Sequence, residues 1–177
     1  DEKEIDEEIE RLVRDSKRRS RKVLRDIEEL AKRVKEENDR VLEKLRKLIE
    51  DLKRKIDETI EDKDTVKRLT EKLETALREL EELSKENRRR LEEITKRVRE
   101  LVRRDEEKNR DVERRVKEIP VSERLKEEVD RVIADSRRLN KEILDEVKRE
   151  LDKLRKHLED VLRRAEKMIR DIDEELR

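Results

Sequence analysis

From Ile5 to Ile56 the core-type residues fall at steps of four, three, four, four and three, so the pattern returns every 18 residues. Eighteen residues make five turns of an α-helix at 3.6 residues per turn, and a stripe with that period runs straight along its helix. A heptad stripe would drift and supercoil. The ladder comprises Ile5, Ile9, Leu12, Ser16, Ser20, Val23, Ile27, Leu30, Val34, Asn38, Val41, Leu45, Leu48, Leu52 and Ile56. Val13, Ala31 and Ile49 flank it on one side and Leu24, Leu42 and Ile60 on the other, which makes the apolar face broad enough to meet two neighbours.

The same spacing runs from Leu69 to Ile119 and from Leu125 to Leu176. Each ladder covers roughly 55 residues, or about 80 Å of helix. The pattern therefore predicts helices at about 2–60, 65–118 and 122–176. Between them the helix signals lapse. Around Glu61-Asp62-Lys63-Asp64, short acidic side chains and Thr65 offer turn and capping chemistry, with Asp64 the expected N-cap. Pro120 stops the second helix because its ring cannot continue the backbone ladder, and Ser122 is placed to cap the third. The acidic start, Asp1 to Glu10, suits the positive end of a helix dipole. Connections this short put consecutive helices side by side and antiparallel. The expected fold is all-α: an untwisted, elongated, up-down-up three-helix bundle forming a single domain over residues 1–177.

Composition changes the picture mainly by exclusion. Charged residues make up 61% of the chain and hydrophobic residues 30%, which would suit a disordered polyampholyte were the apolar positions not so regularly placed. The 54 basic and 54 acidic residues cancel, so no net field favours nucleic acid or an anionic membrane. Cysteine is absent, which removes disulfides and thiolate chemistry. The longest apolar runs are pairs such as Val23-Leu24, too short to span a bilayer, and the residues from Asp1 onward show no signal peptide. A soluble protein is expected, with no compartment specified.

Eight ladder positions are polar: Ser16, Ser20, Asn38, Asn87, Asp105, Asn109, Ser136 and Asn140. If the chain folds back near residues 62 to 63, Asn38 lies level with Asn87, and Ser84 and His157 fall within about one turn of both. Ser16 lies level with Asn109 and Ser20 with Asp105; Ser136 falls beside that pair and Asn140 one turn further along. Two polar layers are expected, each drawing on all three helices. An isolated buried amide costs about 1 to 3 kcal/mol, so polar residues gathered at one height satisfy one another and penalise any slide that separates them.

Catalytic and metal chemistry find little support in the residues. A di-metal carboxylate bundle needs inward glutamates and a Glu three positions before a His, yet the residue three before His157 is Leu154 and the acidic ladder residue is Asp105. The ladder serines belong to the layer without a histidine, so a Ser-His pair is not expected. The basic stretches Lys17-Arg18-Arg19 and Arg88-Arg89-Arg90 face predicted acidic positions, Asp105, Glu106, Glu107 and Asp111 among them for the first, and are read as interhelical charge pairs. With no aromatic residue there is no stacking surface for single-stranded nucleic acid. No catalytic, cofactor-binding or metal-ligating residue is assigned, and no cofactor, nucleic acid or membrane partner is expected.

The 18-residue ladder, the Leu/Ile/Val stripes broken by Ser/Asn layers, the Lys/Arg/Glu/Asp surface and the minimal loop Glu118-Ile119-Pro120-Val121-Ser122 resemble de novo designed, parametrically generated helical bundles with buried hydrogen-bond networks. The resemblance covers the whole chain and is architectural, since no catalytic motif defines the class. The lack of a Gly-containing turn departs from it. Natural three-helix repeats such as spectrin are a biological look-alike, but they would carry aromatic core residues. The resemblance implies a hyperstable scaffold without a natural biochemical function, monomeric, or alternatively a binding module: a subunit of a helical assembly or a three-helix chain that accepts a fourth helix.

Overall fold

With no Gly and a single Pro, almost nothing in the chain opposes helix propagation, and long helices follow. The computed structural model describes residues 2–118, 120 and 122–176. Within it α1 spans Glu2–Thr59, α2 Lys63–Glu118 and α3 Glu123–Glu175. There is no strand among the described residues, and the chain is an all-α three-helix bundle. Asp1 of the acidic start, Ile119 at the end of the second ladder and Val121 in the Pro120 loop lie outside the described residues.

The helix starts are set by side-chain caps, and one of them corrects an expectation. Asp62, not Asp64, caps α2, which consequently begins two residues before the expected start. The Asp62 carboxylate accepts the Asp64 amide at 3.3 Å and the Thr65 hydroxyl at 2.6 Å, while the Asp62 carbonyl accepts the Val66 amide at 3.1 Å. Asp64 is left in the first turn, where its charge suits the helix dipole. Ser122 caps α3 as expected: its hydroxyl accepts the Leu125 amide at 3.2 Å and its carbonyl the Lys126 amide at 3.0 Å. At the far end of α3 the Leu176 amide is shared between the Ile172 and Asp173 carbonyls, both at 3.2 Å, a tightened last turn.

Burial repeats with the period of the sequence. On α1 the buried side chains include Ile9, Ile27 and Leu45, then Val13, Ala31 and Ile49, each series at intervals of 18. The centre of the stripe is rotated by one residue from the expected ladder in places. Leu48 is 38% exposed while its neighbour Ile49 is 0% exposed, and Val102 and Ser84 are buried where Leu101 and Leu83 are only half-buried. Each helix faces two partners, so the deepest line runs between the ladder and its flank.

Contacts divide the chain into two compact units, each holding a segment of every helix. The first comprises residues up to Ala31 with Glu93–Glu150. Its core gathers Ile9 and Val13 from α1, Val112 and Val116 from α2, and Leu125, Val129 and Ile133 from α3. Lys17 meets Glu113 at 2.5 Å and Glu28 meets Arg99 at 2.9 Å, so α1 and α2 are antiparallel there. Arg115 to Glu128 and Arg97 to Glu146 give the same sense for α2 and α3.

The second unit comprises Lys32–Glu92 with the residues from Leu151 onward. Leu45, Ile49, Leu52 and Ile56 of α1, Leu69, Leu73 and Leu80 of α2, and Ala165 and Ile172 of α3 form its core. Arg46 to Glu81 at 3.0 Å and Lys53 to Glu74 at 3.3 Å align α1 against α2 in opposite senses. Lys55 to Asp173 at 2.6 Å ties α1 to α3.

Candidate functional site

The first unit buries six polar side chains in one cluster. They sit at stripe positions of three helices whose antiparallel pairing brings Ser16 and Ser20 of α1 level with Asn109 and Asp105 of α2, beside Ser136 and Asn140 of α3. Each is at most 6% exposed. Asp105 Oδ2 is the common acceptor: the Ser20 hydroxyl donates to it at 2.5 Å and the Ser136 hydroxyl at 2.8 Å. Ser136 Oγ in turn lies 3.2 Å from the Ser16 hydroxyl, which also has Asn109 Oδ1 within 3.4 Å. Asn140 Nδ2 closes the set by donating to Ser20 Oγ at 3.3 Å. The expected members of this layer are thus all brought together, and all three helices contribute.

Arg19 is the neighbour that sequence reasoning missed. Burial holds its guanidinium below the usual arginine range; Arg137 pushes the same way, and the negative charges of Asp15 and Asp105 oppose the shift. Its Nε and Nη2 are buried without a hydrogen-bond partner, as are Asn109 Nδ2 and Asn140 Oδ1. The signal was present in principle, because Arg19 directly precedes a buried ladder serine, but its place in a basic run suggested an interhelical charge pair rather than a buried guanidinium.

The second unit holds a smaller cluster. Asn38 Nδ2 donates to Ser84 Oγ at 2.8 Å, and Asn87 Nδ2 donates to Asn38 Oδ1 at 3.3 Å. All three side chains are at most 5% exposed. His157 does not join them. It is exposed on α3 and lines a groove with Ala76, Leu80 and Arg164, so this cluster draws on α1 and α2 alone. The height assigned to His157 was sound, but its angular position on α3 turns the ring away from the interior.

No known family model, curated protein or solved structure matches this chain. The hydroxyl protons of Ser20 and Ser136 are held by a carboxylate oxygen in a buried setting, and no histidine lies in that unit. Among the described residues no three His, Asp or Glu side chains converge as a metal site. No helix among them is long and apolar enough to cross a membrane.

The basic runs are paired in part as expected. Lys17 reaches Glu113 and Arg21 reaches Glu106 at 3.8 Å, while Glu107 and Asp111 turn to Arg103 and Arg114 of their own helix. In the second run Arg88 binds Asp39 across the helix pair through its Nε at 3.0 Å, and Arg90 binds Glu86 within α2.

Proposed function

We propose that the chain is a designed structural scaffold, without a natural biochemical function, in which buried polar clusters specify the helix register. The observation that carries this reading is the convergence of Ser20 from α1 and Ser136 from α3 on one carboxylate oxygen of Asp105 from α2. A slide of any one helix by a turn removes a donor from a buried acceptor, which is strongly unfavourable. The 18-residue periodicity of burial, kept on each helix, supports a parametric origin. Neither catalysis nor a cofactor belongs to this reading, and the scaffold is monomeric and hyperstable.

The test is to replace the six cluster residues of the first unit with apolar ones of similar volume and to trap registers with engineered cysteine pairs. If the cluster specifies register, the parent crosslinks at one α1–α3 alignment and the apolar variant also at alignments displaced by a helical turn. A variant that crosslinks only at the parent alignment sinks the reading. For the monomeric state, light scattering should return one species of 21.8 kDa. A reversible melt below about 60 °C, within the ordinary mesophile range, would contradict hyperstability.

A further inference from the structure

Two small residues face each other across α2 and α3 in the second unit. Ala76 and Ala165 both occupy stripe positions, and in the second unit the buried stripe positions of α1 carry larger side chains such as Leu45, Ile49 and Leu52. Between them lies a half-open groove of about 290 Å³, floored by both alanines with Leu80, Leu83, Val161 and Met168. At about 30 Å³ per water it holds roughly ten water-sized groups.

The rim of this groove carries Arg164, His157 and Glu79. All three are exposed, and among the described residues Arg164 and Glu79 enter no ion pair. An unengaged guanidinium at the lip of an apolar trough presents planar donors to an anion, and a carboxylate matches that fork with two parallel hydrogen bonds. The imidazole adds a nitrogen on the same lip. Glu79 repels an anion, but a glutamate meets an ammonium only as a point charge, whereas the arginine geometry is bidentate.

We infer that this groove is a binding site for a small amphipathic carboxylate, a linear acid of about ten non-hydrogen atoms whose chain lies on the alanine floor and whose head pairs with Arg164. Octanoate, with eight carbons and two oxygens, is the probe. Titrated into the full chain labelled at its methyl groups, it should produce saturable shifts at Leu80, Leu83, Val161 and Met168, with a Kd on the order of 1 mM for so open a site. Octan-1-ol and octan-1-amine should bind about fivefold more weakly, since they lack the charge partner.

Arg164→Gln, on the exposed rim, should bring octanoate down to the affinity of the alcohol and leave the alcohol unchanged. Ala76→Leu should refill the groove and abolish the shifts from both. Diffuse, non-saturating shifts with octanoate would overturn the inference, as would equal or tighter binding of the amine, or an Arg164→Gln variant that binds octanoate as well as the parent does. Should Ala76→Leu lose its helical circular dichroism, the head-group comparison and the Arg164→Gln titration decide the matter alone.

Discussion

The two polar clusters solve the same problem with different numbers of helices. In the first unit a carboxylate and five neutral partners join α1, α2 and α3. In the second, two amides and one hydroxyl join only α1 and α2, and α3 is located there by apolar contacts and by ion pairs such as Lys55 to Asp173. Apolar packing tolerates a slide that exchanges one Leu for another, whereas a hydroxyl and its acceptor do not. The placement of α3 is therefore encoded by a buried hydrogen-bond cluster in the first unit, and by apolar packing and surface ion pairs in the second.

The widest gap between the two should appear on removing each central acceptor. Asp105→Ala strands two serine hydroxyls held at 2.5 and 2.8 Å, and should lower the unfolding free energy by about 3 to 5 kcal/mol in chemical denaturation. Asn38→Ala strands Ser84 and Asn87 in a cluster of neutral groups, and the loss should be about 1 to 3 kcal/mol. Equal losses at the two sites would erase the distinction. His157→Ala should change stability by less than about 0.5 kcal/mol, since the side chain is exposed; a larger effect would restore α3 to the second cluster.

The smallest effects are those of pH on exposed groups. The Thr65 hydroxyl, followed by the Asp64 amide, holds the Asp62 carboxyl below its ordinary 3.8, and Arg103 holds Glu100 below 4.5. The stability these two add is complete above those ordinary values and is lost as pH falls through the depressed ones. Lys126 is shifted the other way, raised above 10.5 by its hydrogen bond to Glu8, so its contribution is full below 10.5 and is lost as pH rises further. A denaturation series across pH should show a modest acid loss from both units. The Lys126 pair adds an alkaline loss in the first unit, and Lys126→Gln should reduce it.

Much of this was legible because a helix converts sequence spacing into position with little freedom. The pairs Ser16 with Asn109, Ser20 with Asp105 and Asn38 with Asn87 follow from one turn and a constant rise. Angular position was less legible. His157 had the right height but the wrong azimuth, and the choice between Leu48 and Ile49 depends on where two neighbours sit, which spacing along one helix does not encode. The cap of α2 was misplaced because Asp62 and Asp64 offer the same chemistry; the Thr65 hydroxyl decides for Asp62. Arg19 was hidden by its company, since five basic neighbours made a partly buried guanidinium look like part of an interhelical charge pair.

The recurrence of burial at 18 residues also makes the sequence divisible. A block of that length can be copied into or cut from a helix and every later side chain keeps its compass bearing, because five whole turns return the backbone to its starting angle. Inserted into all three helices of one unit at the same level, such a block would lengthen each by about 27 Å without re-aiming a single interior residue. Length in this molecule is thus a quantity that can be edited in whole steps, independently of what each step contains.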